Sequence, residues 1–501
     1  MRSDASPGQS SRDATGSGSR AANRWAALAV LSLAQLMIVL DSTIVNIALP
    51  AAQHDLGFSN GSRQWVVTGY ALALGSLLLA GGRLSDLFGR RRLFLIGVGG
   101  FALASAAGGA AMSFPVLLVA RIAQGAFAAM LAPAALSLVS VTFADNAEDR
   151  GRAFGIFGAV AGAGGAVGLL LGGILTQSLS WRWCLYVNLI IAAVAFAGAL
   201  AWLRDSGRPE RVRLDIAGTV TVVLGLVGVV YGLGNSEPEG WTAVWTLGPV
   251  TAGAVLVVVF AVIERRVRHP LLPLAVILDR DRGAAYLSIG ISGTGSFAVF
   301  LFLTYYLEDT LKFTPVQTGV AFLPMVGLLV AGAITAGAVL PRTGPRPLVP
   351  AGCLLAAAGM ALLTGIGAAS GYAASVLPAL LVMGFGSGLV FGSAQNAATS
   401  GVSSSEAGVA SAMVNTTQQV GGSIGTAVFS SLAATAAAGY LQAHAATAAR
   451  AAAIADATIA GYHLVFWIAA AVFLGGAVVS AILFRSGPLP AGADAEPVTA
   501  R

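Results

Sequence analysis

Long apolar runs alternate with short polar segments along most of the chain. Each run is close to the ~20 residues that a helix needs to cross the hydrocarbon core of a bilayer. The pattern therefore predicts an all-α integral membrane protein with fourteen spanning helices, at residues 25–50, 64–82, 93–112, 115–142, 153–176, 184–203, 214–234, 244–263, 284–306, 317–340, 348–368, 375–395, 411–436 and 461–484.

Arginine and lysine are unequally divided between the two sides that these spans define. Of the 28 Arg and Lys residues, 23 fall on the side of both chain ends, four fall on the other side, and Arg121 lies within a span. Loops rich in Arg and Lys stay in the cytoplasm. We therefore expect a multi-pass protein of the plasma membrane with both termini cytoplasmic. An odd number of spans would destroy the asymmetry, which favours the count of fourteen.

Composition supports a lipid environment and excludes several classes of function. Hydrophobic residues make up 56% of the chain and charged residues only 10%, whereas soluble domains carry about a quarter charged residues. The net charge of +6 comes from short clusters between apolar runs, which argues against a nucleic-acid partner. The single lysine, Lys312, precedes Phe313, so the chain has no Walker A motif for ATP.

Metal sites and catalytic sites find no support in the sequence. The two cysteines and four histidines are scattered, and no nucleophile, base and orienting group come together in the pattern. We expect no enzyme activity, no cofactor and no metal. If the protein does work across the membrane, the energy would then come from an ion gradient or from an unseen partner.

An internal repeat suggests how the spans are grouped. Four positions after the second span have counterparts with identical spacing after the tenth, and three of them carry the same residue. They are Gly82, Asp86, Gly89 and Arg91 in the first copy and Gly337, Pro341, Gly344 and Arg346 in the second. Transporters are commonly built from such repeats. We predict a disordered cytoplasmic tail (1–24), a six-helix bundle (25–203), a linker with two inserted spans (204–282), a second six-helix bundle (283–485) and a cytoplasmic tail (486–501).

Two charged residues lie inside predicted spans. Asp41 is about 24 Å from the start of the first span at ~1.5 Å per residue, where a carboxylate costs about 2.5–3.5 kcal/mol to insert. A proton or cation site is favoured, and a structural hydrogen bond to a neighbouring helix is the alternative. Arg121 lies at a similar depth from the opposite side. It could pair with Asp41, or extend to the lipid headgroups.

The loop after the second span carries Gly82, Asp86, Gly89, Arg90 and Arg91. One interpretation is that its arginines only set the membrane orientation. The other is a charge lock between helices that breaks as the two halves rock.

Further residues are candidates for packing or for a cavity. Gly164, Gly168 and Gly172 share one helix face, followed by Gly173, and such small residues let helices pack closely in lipid. Polar side chains in the spans either line a central cavity or bond neighbouring helices; those in the first bundle are Gln35, Asn46, Tyr70, Gln124 and Asn188.

Four segments together resemble a known family. Residues 40–50 (LDSTIVNIALP), 82–91 (GRLSDLFGRR), 121–125 (RIAQG) and 181–183 (WRW) are similar to motifs of the fourteen-span drug–proton antiporters of the major facilitator superfamily. The likeness covers roughly 25–485. It departs at Leu169, where the family's fifth-span motif has proline, and at Pro341, where the loop motif has an acid.

The resemblance implies a major facilitator fold and a function. The expected activity is antiport driven by the proton-motive force, which exports small amphipathic drugs or antibiotics by alternating access. Asp41 and Arg121 would couple proton and substrate, and the protein would act as a monomer. A facilitator or symporter of a metabolite on the same fold is the alternative, and a membrane-embedded enzyme is a remote one.

Overall fold

The computed structural model describes residues 10–143, 147–203, 215–267, 270–402, 407–443 and 450–487. Within them the chain forms fourteen long helices. They are α1 (Ser10–Leu56), α2 (Asn60–Phe88), α3 (Arg90–Gly109), α4 (Phe114–Thr142), α5 (Ala147–Ser178), α6 (Trp183–Trp202), α7 (Ile216–Gly234), α8 (Val244–Arg266), α9 (Arg280–Ala298), α10 (Pro315–Thr343), α11 (Pro345–Leu363), α12 (Leu377–Thr399), α13 (Ala407–Ala443) and α14 (Arg450–Leu483).

Short helical segments complete the path. Two short α-helices, Ser236–Glu239 and Leu274–Leu278, lie before and after α8. Two π-helical turns, Val299–Leu303 and Tyr306–Thr310, continue α9, and a third, Tyr372–Val376, leads into α12.

The helices account for the predicted spans. Thirteen of them are long and apolar enough to cross a membrane within the described residues. The fourteenth, α5, is long, but its apolar part within the described residues is Gly164–Ser178. The predicted all-helical membrane architecture is therefore present.

The N-terminal boundary differs from the prediction. Residues 1–24 are predicted as a disordered tail, yet α1 begins at Ser10 and its apolar part begins at Asn23. No proline occurs between Ser10 and Pro50, so nothing in this stretch forces the helix to start where the apolar run starts. Residues 1–9 and most of the predicted tail 486–501 lie outside the described residues.

The two inserted helices pack at the side of the main body. α7 and α8 pack against each other through glycines such as Gly225 and Gly253. α7 also contacts α2 and α13, where Val230 is buried with Leu72 and Ala427. The remaining helices form two six-helix bundles, α1–α6 and α9–α14, as the sequence predicts. The domain limits drawn from the repeat remain predictions.

The repeated loop has the same geometry in both copies. Gly89 joins α2 to α3 with φ of 88°, and Gly344 joins α10 to α11 with φ of 71°. Residues with a Cβ rarely adopt positive φ. The glycines of the repeat therefore mark equivalent junctions in the two bundles.

Candidate functional site

Asp41 lies in the middle of α1 and is fully buried. Its Oδ2 accepts a hydrogen bond from Arg121 Nη1 at 2.5 Å, and its Oδ1 accepts from Gln124 Nε2 at 3.0 Å and from Asn188 Nδ2 at 2.7 Å. Both carboxylate oxygens are thus occupied by donors from α4 and α6. A buried carboxylate needs such partners because desolvation otherwise makes its charge costly.

Arg121 is also fully buried, with 1% of its side chain exposed. Besides Asp41, its Nη1 donates to Gln124 Oε1 at 3.0 Å, and its Nε donates to the Val66 carbonyl at 3.2 Å. The guanidinium lies over the Tyr70 ring, 4.2 Å from the ring centroid, a cation–π contact. The pairing of Asp41 and Arg121 that their depth suggested is therefore present, and the alternative of an arginine at the lipid headgroups is wrong.

Ser105 lies at the centre of this hydrogen-bond network, and its role was not predicted from the sequence. Its Oγ accepts from Gln124 at 2.8 Å and from Asn188 at 3.0 Å, and donates to the Leu185 carbonyl at 3.1 Å. A single serine in an apolar span gives no signal in the sequence, because hydroxyls in helices commonly bond their own backbone. We call Asp41, Ser105, Arg121, Gln124 and Asn188 the coupling cluster.

The coupling cluster is neutral as a whole only while Asp41 is ionised. Adding a proton to Asp41 would leave the Arg121 charge buried without a counterion, and an uncompensated buried charge costs several kcal/mol. The arrangement can therefore bind a proton only if Arg121 finds another partner or the helices move. This dependence is the property that a coupling site requires.

The five polar residues predicted to line a cavity have different positions. Gln124 and Asn188 belong to the coupling cluster, and Tyr70 bonds the Ile38 carbonyl at 3.3 Å. All three are buried and contact neighbouring helices, which agrees with the alternative of bonding between helices. The cavity-lining role stays a prediction. Asn46 donates to Ser42 O on its own helix, and Gln35 is partly exposed on α1.

The glycine motif of α5 divides between two neighbours. Gly164, Gly168 and Gly172 face α1, where an added Cβ would meet Val39, Thr43 and Ile44 respectively. Gly173 faces the second bundle, where a Cβ would lie 2.5 Å from the Pro315 carbonyl. Leu169, in the place of the family's proline, is fully buried, and its carbonyl faces Gly319 of α10.

Substitution at Gly168 is expected to destabilise the first bundle. A valine there would place Cβ against Thr43 and 2.9 Å from the Leu40 carbonyl, so α1 and α5 would have to separate. Overpacking of this kind costs about 1–3 kcal/mol. Gly168→Val should lower the thermal unfolding temperature of the purified protein. Gly165→Val is the matched control, since nothing lies within 4 Å of a Cβ there; equal losses for both variants would contradict the packing account.

The loop motif lies at the side of the molecule that carries most of the arginines, which we call the arginine-rich side. Arg83 Nη2 donates to the Pro270 carbonyl at 2.6 Å, and Arg91 Nη2 donates to the Leu200 carbonyl at 3.1 Å. Gly82 packs near Pro133, and Arg90 begins α3. The Asp86 side chain lies outside the described residues, so the predicted charge lock stays a prediction.

Some of the contacts between the two bundles lie at the opposite, arginine-poor side. Gly173 packs on Pro315, as described above, and Tyr305 Oη donates to Gln53 Oε1 at 2.6 Å. Arg63 from α2 stacks over Tyr305, with 3.9 Å to the ring centroid. Nothing in the sequence points to this role of Arg63, because a contact between distant helices leaves no local pattern. These contacts hold the arginine-poor ends of the bundles together in this conformation.

Metal binding finds no candidate in the described part of the chain. No group of three or more His, Cys, Asp or Glu side chains there could hold a metal ion. The two cysteines, Cys184 and Cys353, are buried and unpaired with each other.

Comparison with known proteins shows the family to which this chain belongs. The model of the Major Facilitator Superfamily matches residues 31–426. The chain is 47% identical to the puromycin resistance protein pur8 of Streptomyces alboniger, with 92% of each chain covered. It is 37% identical to the cephamycin export protein CmcT of Amycolatopsis lactamdurans, covering 83% of this chain and 86% of that one. It is 35% identical to the tetracenomycin C resistance and export protein of Streptomyces glaucescens, covering 82% and 76%.

Solved structures agree on the fold. A bacterial homologue of the human lysosomal transporter Spinster, in an inward-facing and unoccupied conformation, superposes with a TM-score of 0.62 at 15% identity, covering 91% of this chain and 97% of that one. The peptide transporter POT in complex with sulfate gives a TM-score of 0.62 at 14% identity, covering 91% and 95%. The chain, whose described part forms fourteen long helices around a buried Asp41–Arg121 pair, is a multi-span membrane transporter of small molecules that belongs to the Major Facilitator Superfamily.

Proposed function

We propose that this protein exports an antibiotic or a related amphipathic drug from the cytoplasm in exchange for protons. The relatives named above are described as resistance or export proteins for puromycin, cephamycin and tetracenomycin C, which supports the direction and the substrate class. The observation that carries the proton coupling is the fully buried Asp41–Arg121 pair. Asp41 is a titratable group on α1, and its negative charge is balanced by Arg121 on α4. A change in its protonation therefore changes the force between the two helices.

The exchange follows from the charge balance of the coupling cluster. With Asp41 ionised, Arg121 is neutralised and the helices α1, α4 and α6 are bonded together through the carboxylate. A proton on Asp41 removes the negative charge that neutralises Arg121, so Arg121 is free to seek another partner, although one oxygen of Asp41 can still accept hydrogen bonds. Because both residues are closed off from solvent in this conformation, proton entry requires the bundles to rearrange. Proton binding and alternating access are then one process.

A drug panel tests the proposed export directly. Expression in a susceptible bacterial host should raise the inhibitory concentration of at least one antibiotic among puromycin, a cephamycin and tetracenomycin C, and an uncoupler should abolish drug exclusion. Asp41→Asn at equal expression is the control and should give no protection. Drug accumulation inside cells that express the protein, rather than exclusion, would instead support an importer on the same fold.

The orientation in the membrane is part of the proposal. The arginine bias places both termini and the arginine-rich side in the cytoplasm of the bacterial plasma membrane. Ser113 is exposed between α3 and α4, and Thr343 is exposed at the end of α10. Ser113→Cys should be labelled in intact cells by an impermeant maleimide, and Thr343→Cys only after the cells are opened. Both native cysteines are buried, so background labelling should be small; labelling of Thr343→Cys in intact cells would reverse the orientation.

A further inference from the structure

A pair of carboxyl groups lies at the arginine-rich ends of the inserted helices, on elements that do not contribute to the coupling cluster. Asp215 caps the start of α7, where its Oδ1 accepts from the Gly218 amide at 2.8 Å. Glu264, near the end of α8, is buried with 4% exposed, and its Oε2 accepts from the Leu272 amide at 2.9 Å. Each carboxyl group therefore has one oxygen bonded to the backbone.

The other two oxygens lie close together, and no donor from the described residues reaches them. Asp215 Oδ2 and Glu264 Oε1 are buried and accept no hydrogen bond from the described residues. Both lie over Gly218: a Cβ there would be 2.8 Å from Glu264 Oε1 and closer still to Asp215 Oδ2. The two side chains are within hydrogen-bonding reach of each other. Two ionised carboxylates in this arrangement would repel, because like charges at a shared buried site disfavour double ionisation.

We propose that Asp215 and Glu264 form a second proton-binding site, in which one proton is held between Asp215 Oδ2 and Glu264 Oε1. The proton comes from water and turns one carboxyl group into a donor, so a single O–H bond satisfies both unpaired oxygens. Hydrogen bonds between an acid and a carboxylate are short and strong. The proton belongs to the pair rather than to either residue. This site is independent of the export function proposed above.

The surroundings connect this pair to the loop motif. Among the described residues, the charged group that acts on Glu264 besides Asp215 is Arg83. Arg83 donates to the Pro270 carbonyl, and Leu272, two residues further along the same linker, donates to Glu264. The linker is thereby bonded to the acid pair at one residue and to the end of α2 at another. Proton occupancy of the pair is thus linked to how the inserted helices are fastened to the first bundle.

Infrared spectroscopy of the protein in lipid nanodiscs tests the proposal. A shared proton gives a carboxylic-acid C=O band that disappears as pH rises and shifts in D₂O. We expect the wild type to show such a band, and Glu264→Gln to lack it. Asp215→Asn should lack it as well, since in either variant the amide NH₂ can donate to the remaining carboxylate and replace the proton.

Controls separate this site from other acids and from misfolding. Asp281→Asn removes a carboxyl group that accepts from the Arg485 amide at the surface of α9, and it should leave the band unchanged. Glu264→Gln and Asp215→Asn are measured separately. If one of these variants fails to fold, the spectrum of the other still tests the proposal. Persistence of the band in a folded Glu264→Gln or Asp215→Asn protein would overturn the proposal. Absence of any titrating acid band from the wild type would overturn it as well, and would fit a bound cation instead.

Discussion

Replacing Arg121 by methionine is expected to cost about 3–5 kcal/mol of stability, the range measured when one partner of a buried ion pair is removed. Methionine fills much of the space of arginine, yet Asp41 would be left with 0% exposure and no cation. The bond to the Val66 carbonyl and the contact with Tyr70 would also be lost. The measurement is thermal unfolding of the purified protein in one fixed lipid or detergent.

Two further results separate the charge from the loss of packing. Acidification should restore part of the stability of Arg121→Met, because a protonated Asp41 is neutral and cheap to bury. The double variant Asp41→Asn/Arg121→Met should be more stable at neutral pH than Arg121→Met alone, since it leaves no buried charge uncompensated. A double variant less stable than the single one would show that the charge pair does not dominate this site.

Asp41→Asn is expected to abolish drug export driven by a pH gradient, with at least a tenfold loss of rate, which corresponds to about 1.4 kcal/mol or more. Asparagine keeps the size of the side chain and can still accept from Gln124 and Asn188 through one oxygen. Asparagine cannot take up or release a proton. It leaves Arg121 without a counterion, as Arg121 is when Asp41 is protonated. The variant should therefore insert in the membrane and bind drug.

Downhill drug exchange separates coupling from general damage in this variant. Exchange of labelled against unlabelled drug across a vesicle needs no net proton movement, so Asp41→Asn should retain it in part. Full gradient-driven export by the variant would remove Asp41 from the mechanism. Coupling would then have to lie at another acid, such as Glu308 in the π-helical turn that follows α9.

The sequence predicts the helices well because their signal is local. Apolar runs of bilayer length set the number and order of the spans, and the depth of Asp41 and Arg121 suggested their pairing. The ends of helices are less predictable. α13 (Ala407–Ala443) extends past both ends of the apolar segment 411–436, and α14 (Arg450–Leu483) begins well before the apolar segment 461–484. Hydropathy reports where lipid ends, whereas a helix continues until its backbone meets a stop signal.

The partners within the site were less accessible to sequence reasoning. Ser105 accepts a hydrogen bond from Gln124, and the Val66 carbonyl accepts one from Arg121, only because α3 and α2 are folded beside α4. The Asp215–Glu264 pair depends likewise on α7 lying against α8. In the sequence these acids look like ordinary charged residues at span ends, and only tertiary packing shows that they share a site.

Drug-driven proton movement tests the central claim of drug–proton exchange most directly. Vesicles that contain the purified protein are loaded with an antibiotic identified by the drug panel and diluted into drug-free buffer of the same pH. Antibiotic leaving the lumen should draw protons in, so a pH-sensitive dye in the lumen should report acidification beyond that of protein-free vesicles. Vesicles with Asp41→Asn should show none of this excess. Antibiotic release by the wild type without excess acidification, or equal acidification with Asp41→Asn, would contradict proton exchange at Asp41.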